Sequence, residues 1–339
     1  MLRHVLALAT SSPWAITPRY AEIVREILMR RTNGWAIDSA ELDRVHEKRA
    51  AVEAQRASDS AASRGSVAVV PILGTLMPRA SMMDEQSGAT SPEAIGAMID
   101  RAAADPSVKT ILLDINSPGG NVQGIAECAA KIRAARSTKQ VVAVANYDCH
   151  SAAYRLAAEA DEIVASTSAD LGSIGAIAIH RDESGAMEQK GIKLELITAG
   201  KYKAEGYESG PLSTSARTEL QGRVDAVYAE MTAGIAKGRG VPVATVRGPR
   251  FGEGRSFLAV DAVERGLADR VATFEETLAR FQSGGRVTAR AAATSIPLVV
   301  TMAVKADEVT AADVKPGIDA AYADAIDDLD LRERELETI

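Results

Sequence analysis

Ser151 and Lys203 are the two residues whose types and settings point most directly to chemistry. Ser151 precedes the small residues Ala152 and Ala153 at the start of a predicted helix. A serine hydroxyl becomes a nucleophile when a base takes its proton, and a backbone N–H beside it can stabilise the oxyanion that then forms. A lysine can act as that base if burial favours its neutral form. The two residues are therefore a candidate serine–lysine dyad of a hydrolase.

Each of these residues also has an ordinary structural interpretation. A serine at the start of an alanine-rich helix is a good N-cap, and most lysines stay on the surface. Lys201 lies two residues before Lys203. The residue types alone do not choose between these two lysines.

The histidines offer no clear alternative base. The chain has four of them. His150 adjoins Ser151, so its side chain is expected to diverge from the hydroxyl, and the other three have no evident partner. A Ser–His–Asp triad is therefore disfavoured. Cys149 as a nucleophile meets the same difficulty, because no distant histidine clearly serves it.

Two glycine-containing turns accompany the candidate dyad. Residues 117–120 read Ser-Pro-Gly-Gly, and residues 172–175 read Gly-Ser-Ile-Gly. Glycine lets backbone N–H groups approach a ligand closely, so the first turn suits an oxyanion or a phosphate. Its spacing does not match either nucleotide-binding fingerprint, so nucleotide binding is unsupported. An ordinary strand-to-helix turn fits the same residues.

Strands and helices alternate around these residues. The sequence predicts strands at residues 67–73, 110–115, 140–145, 162–165, 176–179 and 194–198, and helices at 91–104, 122–136, 151–160, 213–239 and 256–266. The run at 110–115 is almost continuously apolar, as in a strand buried on both faces. This alternation predicts an α/β fold with a mostly parallel sheet, with functional sites at the carboxyl ends of the strands.

Composition divides the chain into three parts. Residues 1–62 are predicted to form a helical N-terminal extension and a linker, residues 63–282 the main domain, and residues 283–339 a linker and an acidic, partly disordered tail. The whole chain has 339 residues.

Charge and composition exclude several classes of function. A net charge of −7 argues against nucleic-acid binding, which needs a cationic surface. The two cysteines fit neither a zinc site nor a disulfide scaffold and suit a reducing compartment. No apolar run is long enough for a membrane span, and the short run at residues 5–9 does not make a signal peptide. We expect no metal and no cofactor.

The glycine turns, the serine and the lysines also occur in the order of a known family. From residue 67 to residue 271 the chain resembles the signal peptide peptidase A family of serine–lysine peptidases, whose fold is related to the Clp protease and crotonase group. The matching segments are residues 69–74, 114–120, 151–154, 172–175 and 200–203, with a weaker one from 254 to 269. Each segment alone is weak, but the ordered set is specific.

The resemblance implies a role for each matching residue. It makes Ser151 the nucleophile and Lys203 the general base, with Ser173 orienting the lysine. It makes the backbone N–H groups of Gly120 and Ala152 the oxyanion hole. The chain departs from the family at residues 149–150, Cys-His, where small residues are common, and this change could narrow the site or alter its specificity.

The flanks of the matching region indicate a subtype. No membrane anchor is visible, and residues 13–20 are similar to head-maturation proteases of tailed phages. The resemblance implies cleavage of scaffold and capsid-associated proteins, a homo-oligomer, and a setting in the host cytoplasm or inside the prohead.

Three other functions remain open. The chain could be a non-proteolytic capsid-assembly protein on a peptidase fold, or a host cytoplasmic peptidase of signal-peptide-peptidase type. The third is a crotonase-type acyl-CoA enzyme, for which the expected pair of glutamates is lacking.

Overall fold

The computed structural model describes residues 14–16, 66–78, 89–207 and 209–287. The chain divides into two units, 1–292 and 293–339, and all described residues lie in the first. Most of the predicted N-terminal extension and, apart from residues 283–287, the predicted tail therefore lie outside the described residues. The domain boundaries at 62 and 282 stay predictions.

The described strands run from the N-terminal stretch to residue 271. In chain order they are β1 (Trp14–Ile16), β2 (Val67–Leu73), β3 (Thr75–Leu76), β4 (Ala89–Thr90), β5 (Thr110–Ser117), β6 (Gly119–Asn121), β7 (Gln140–His150), β8 (Glu162–Ala165), β9 (Asp170–Gly172), β10 (Ser256–Leu258) and β11 (Arg270–Val271).

The described helices alternate with these strands and continue after them. They are α1 (Pro92–Ala104), α2 (Ile125–Ala135), α3 (Ala152–Ala157), α4 (Ser184–Gln189), α5 (Thr214–Arg239), α6 (Val243–Arg247), α7 (Ala259–Arg265) and α8 (Phe274–Gln282), with a 3-10 turn at Pro249–Phe251.

The larger of two described sheets holds the candidate nucleophile at the end of one strand. Its order is β10-β9-β7-β5-β2, and β8 pairs with both β7 and β11. All of its pairings are parallel except that of β9 with β10. The predicted mostly parallel α/β fold, with helices flanking the sheet, is confirmed. β2 lies at the end of this strand order, where Pro71, which has no backbone N–H, is tolerated.

The smaller sheet gathers short strands in the order β1-β6-β3-β4. β6 contains Gly119 and Gly120, and its partner β1 comes from the N-terminal stretch. The residues predicted as a simple turn at 117–120 therefore continue into a strand. The three described residues of the N-terminal extension are a strand as well.

The core lies on both faces of the larger sheet. Ile111, Leu113 and Ile115 of β5 belong to the main cluster, and Leu112 belongs to a second cluster with Phe281 of α8 on the other face. Alternate residues of a strand point to opposite faces, so both faces of β5 are covered. The strand predicted as buried on both faces is confirmed.

Helix ends follow the capping signals in the sequence. The Ser91 hydroxyl accepts a hydrogen bond from the N–H of Ala94 at 3.0 Å, with proline at the first helical position. Ser213 caps α5 in the same way, and Gly240, with a φ of 68°, ends it. These side chains satisfy backbone donors that a helix start leaves without an internal partner.

Three local predictions are wrong. Residues 176–179 contain only an isolated bridge at Ile177, and residues 194–198 form no strand. In both, an alternating pattern occurs without a neighbouring strand to complete the ladder among the described residues. The helix predicted from residue 256 begins only at Ala259, because Ser256–Leu258 pairs with β9 instead.

Candidate active site

Ser151 lies at the junction between β7 and α3, where a strand turns sharply into a helix. Its N–H donates to the carbonyl of Gly172 at 2.7 Å. Its hydroxyl does not cap α3 but donates to the carbonyl of Gly175 at 3.3 Å. Sequence reasoning offered N-capping as the ordinary role for this serine, and the structure gives its side chain a different partner.

The backbone of Ser151 is strained. Its φ is 52° and its ψ is −114°, outside the left-handed helical region that a non-glycine residue occasionally adopts. Such conformations cost about 1–3 kcal/mol and persist only where surrounding contacts hold them; they concentrate at functional sites. A serine on a strained strand-to-helix turn is also the arrangement that presents a nucleophilic hydroxyl in other hydrolases.

Ser173 lies beside Ser151 at the same end of the sheet. It follows β9, has a φ of 50°, and its N–H donates to the carbonyl of Arg255 at 2.8 Å. Because Ser151 is bonded to Gly172 and Gly175 on either side of Ser173, the structure brings the two predicted serines together. They lie at the carboxyl ends of neighbouring parallel strands, where α/β sheets place functional groups.

Gly120 is enclosed by the smaller sheet. A Cβ atom at this position would lie 2.0 Å from the carbonyl oxygen of Leu76, so no other residue fits without moving β3. Ser117, just before it, donates its hydroxyl to the carbonyl of Gly74 at 2.6 Å. This close packing fixes the backbone of the predicted oxyanion-hole residue.

Ala152 is the first residue of α3 and is fully buried. The first N–H groups of a helix have no acceptor within the helix. The position therefore suits the predicted second donor of an oxyanion hole. That role, like that of Gly120, stays a prediction.

Lys203 lies in a different environment. Every residue from 190 to 203 is exposed, and the Lys203 N–H donates to the carbonyl of Gly200 at 3.1 Å. Among the described residues, its amine makes no hydrogen bond with Ser151 or Ser173. The structure thus brings two of the predicted side chains together but not the third, and the choice of Lys203 over Lys201 stays a prediction.

The Cys149 thiol, two positions before Ser151, is fully buried. Burial in apolar surroundings raises its pKa, because it disfavours the thiolate. A thiol held in its protonated form is a poor nucleophile. The structure therefore adds no support for Cys149 as the nucleophile.

Helix α3 is anchored by buried polar contacts that hold the serine at its start. The Tyr154 hydroxyl donates to the carbonyl of Leu267 at 2.9 Å. Arg155 pairs with the fully buried Glu159, which Arg133 also contacts. Removing one member of such a buried network leaves an uncompensated charge. These contacts make the turn at Ser151 rigid.

One group near the site escaped the sequence reasoning. His150 Nε2 lies 3.5 Å from Asp170 Oδ2, and the Ser256 hydroxyl donates to the same oxygen at 2.9 Å. The sequence did mark residues 149–150 as unusual, but no local pattern pointed to Asp170 or Ser256. Their meeting depends on how β7, β9 and β10 pair.

Two searches of the described residues bear on other functions. In the described part of the chain, no helix combines the length and apolar character needed to cross a membrane. The same residues contain no group of three or more His, Cys, Asp or Glu side chains arranged to hold a metal ion.

Comparison with known proteins supports the resemblance inferred from the sequence. Residues 133–288, which include Ser151, Ser173 and Lys203, match the model of peptidase family S49. The sequence-based recognition of a signal peptide peptidase A-type peptidase is thus confirmed, and the matching residues include the strained serine and the strand ends described above.

Several individual proteins are similar to this chain. Capsid assembly protease C of Escherichia phage lambda is 28% identical over 329 residues, covering 91% of this chain and 74% of that protein. Head-tail preconnector protein GP5 of Enterobacteria phage P21 is 31% identical over 279 residues, covering 80% of this chain and 55% of that protein. Chloroplastic serine protease SPPA of Arabidopsis thaliana is 26% identical over 218 residues, covering 64% of this chain and 32% of that protein. The chain thus spans about three quarters of the first relative and about half of the second.

Proposed function

We propose that this chain is a serine endopeptidase that uses Ser151 as nucleophile and Lys203 as general base, and that it cleaves scaffold and capsid-associated proteins during phage head maturation. The strained backbone of Ser151 carries the proposal. A serine held at positive φ, with its hydroxyl turned away from helix capping, costs stability that folding alone does not require.

The proposed reaction proceeds through an acyl-enzyme. Ser151 Oγ attacks the scissile carbonyl while the neutral Lys203 amine takes the hydroxyl proton. The N–H groups of Gly120 and Ala152 stabilise the tetrahedral oxyanion. Lys203 then donates the proton to the departing amine. Water attacks the ester, Lys203 takes a proton from it, and that proton returns to Ser151 Oγ as the acid leaves.

This role requires Lys203 to be covered when the enzyme works. A lysine amine accepts a proton only in its neutral form, which burial favours. Several residues close to Lys203 in the chain have large apolar side chains that are exposed. They are Ile192, Leu194, Leu196, Ile197, Tyr202 and Tyr207. Such an accumulation is typical of an interaction surface. We therefore include a homo-oligomer in the proposal, with this stretch covered by a second copy.

The role in head maturation is supported by the phage relatives. One is named a capsid assembly protease and another a head-tail preconnector protein, and together they align with most of this chain. Substrates of that kind are proteins, and the proposed setting is the host cytoplasm or the prohead interior.

The test compares purified wild type with Ser151→Ala and Lys203→Ala on casein and on a phage scaffold protein. We expect both variants to lose at least about a hundredfold in kcat, as expected when a member of a catalytic unit is removed. Lys201→Ala is the matched control and should retain activity. A fluorophosphonate should label wild type but not Ser151→Ala. Undiminished cleavage by either Ser151→Ala or Lys203→Ala rejects the dyad.

A capsid-assembly protein that does not cleave is the second candidate. The exposed position of Lys203, without a bond to Ser151 among the described residues, favours it. This candidate predicts scaffold binding without cleavage and without fluorophosphonate labelling. The same experiment therefore separates the two functions.

A further inference from the structure

His150 is a buried histidine directly before the candidate nucleophile. It is 5% exposed, and neither buried ring nitrogen has a hydrogen-bond partner in the described part of the chain. An imidazole always carries at least one N–H donor, and an unsatisfied buried donor destabilises a fold. Native structures rarely keep such a group without a function.

Asp170 is the polar group that His150 faces. The distance from His150 Nε2 to Asp170 Oδ2 is 3.5 Å, a few tenths of an ångström beyond a good hydrogen bond. The other carboxylate oxygen, Oδ1, is buried and accepts no hydrogen bond from any residue that the structure describes. The Ser256 hydroxyl donates a hydrogen bond to Oδ2 and so helps to hold the carboxylate in place. The imidazole of His150 lies near the same oxygen but too far for a good hydrogen bond.

The strand register places this pair beside both strained serines. In the parallel pairing of β7 with β9, Asp148 lies opposite Asp170 and His150 lies opposite Gly172. His150 and Asp170 therefore stand on the same face of the two strands. Ser151 follows the end of β7, and Ser173 follows the end of β9. The contact therefore joins the strand ends that lead into the two serines with positive φ.

We propose that His150 and Asp170 form a positioning pair that holds the ends of β7 and β9 in register, so that Ser151 keeps the strained conformation from which its hydroxyl attacks. The inference rests on the proposed function, because it assumes that Ser151 is the nucleophile. His150 acts through the backbone of Ser151 and takes no proton from the hydroxyl. The Ser151 hydroxyl bonds to the carbonyl of Gly175, not to the imidazole, so the three residues are not a catalytic triad.

The contact differs from the backbone bond beside it. The N–H of Ser151 already donates to Gly172 at 2.7 Å, which fixes the separation of the strand ends. The side-chain pair joins His150 of β7 to Asp170 of β9, which is two residues away from the position opposite His150. A contact between residues offset in this way resists sliding of one strand along the other. A small displacement of a reacting group can reduce a rate by about a hundredfold.

The experiment measures kcat and KM for His150→Leu and His150→Gln on the same protein substrate. We expect His150→Leu to lower kcat by about 10- to 100-fold with KM within about twofold, since the proposed pair acts through the position of Ser151. His150→Gln keeps an N–H donor near the position of Nε2. It should therefore stay within about threefold of wild type, and the rate of fluorophosphonate labelling should follow kcat.

Cys149→Ala is the matched control, because it changes a buried residue of the same strand end on the opposite face and should leave kcat within about threefold. If His150→Leu fails to fold, Asp170→Leu replaces it, because the Asp170 side chain is 35% exposed. We expect the same loss of kcat in Asp170→Leu as in His150→Leu. The double variant should be no worse than either single one, as for residues acting as a unit.

Four results would overturn the pair: wild-type kcat in His150→Leu, no rescue by glutamine, an equal loss in Cys149→Ala, or additive losses in the double variant. The same variants separate failure of this inference from failure of the proposed function. If Ser151→Ala is active, both Ser151 as nucleophile and the positioning pair are rejected. If Ser151→Ala is inactive while His150→Leu is fully active, only the positioning pair is rejected.

Discussion

At the residue scale, Ser151 shows a conflict between stability and reactivity. A glycine would adopt its positive φ without strain, yet a glycine has no hydroxyl. The chain keeps serine there and surrounds it with ordered neighbours: the backbone bond to Gly172 and helix α3, which Tyr154 and Arg155 anchor. Bonded neighbours thus maintain the strain.

The two thiols provide a residue-scale prediction. Burial raises the pKa of Cys128 to about 12 and shifts the pKa of Cys149 in the same direction. Since only the thiolate reacts with alkylating agents, we expect iodoacetamide at pH 8 to modify neither cysteine in the folded protein and both in urea. Mass spectrometry after a timed reaction measures this.

The control for this prediction is a free thiol peptide, which should react fully under the same conditions. Rapid labelling of Cys149 in the native protein would contradict the burial described here. It would also reopen Cys149 as a nucleophile.

The sequence predicted the candidate site unevenly, for physical reasons. Ser151 and Ser173 lie in short motifs at strand ends. Such motifs involve only residues that are neighbours in the chain, so they can be recognised without knowing the fold. The environment of Lys203 depends on what covers residues 190–203, which no local pattern encodes. The meeting of His150 with Asp170 depends on the register between two strands, so it became visible only in three dimensions.

At the element scale, helix α5 packs against α3 through glycine. A Cβ atom at Gly238 would lie 2.2 Å from the carbonyl oxygen of Ala158, and one at Gly234 would overlap the guanidinium of Arg155. The first is a backbone clash that no side-chain rotation relieves. This close approach is what lets α5 support the short helix that begins after Ser151.

Gly238→Ala should therefore destabilise the protein by at least about 2 kcal/mol, because overpacking a close contact forces the backbone to move. Gly222→Ala is the matched control in the same helix, where a Cβ would meet nothing within 4 Å. There alanine should stabilise by about 0.5–1 kcal/mol, since glycine is a poor helix former. Urea unfolding with an unchanged m-value compares the two. Equal effects of both changes would refute the close packing.

The elements themselves were largely predictable. The apolar run at 110–115 and the helix patterns at 91–104 and 213–239 depend on residues close together in the chain, so they located β5, α1 and α5 well. The wrong predictions occurred where the pairing of strands distant in the chain determines the secondary structure. Ser256–Leu258, for example, is a strand only because β9 pairs with it. Helix α8 was missed although Thr273 and Glu276 form a capping box.

At the scale of the whole molecule, the exposed stretch from 190 to 203 is where the proposed homo-oligomer can be tested. Ile197 is 93% exposed, and Leu194 is 45% exposed. Leu194→Asp should convert an oligomer to a monomer, because a carboxylate cannot be buried at an apolar contact without a partner. Sedimentation velocity across a range of protein concentrations measures this, and activity should fall with the loss of assembly.

Val260→Asp is the control for this change, since Val260 is 60% exposed on α7, outside the stretch. It should leave the assembly intact. A wild type that stays monomeric throughout, or a Leu194→Asp variant that assembles normally, would remove the homo-oligomer from the proposed function.

The strand β7 changes its neighbour part-way along its length. Its residues Val142 to Ala145 pair with β8, whereas Asp148 to His150 pair with β9. The register of the last three residues of β7 is therefore set by β9, whereas that of its earlier residues is set by β8. Ser151 directly follows the section that pairs with β9. A shift of β9 would therefore move the Ser151 hydroxyl without changing the pairing of β7 with β8.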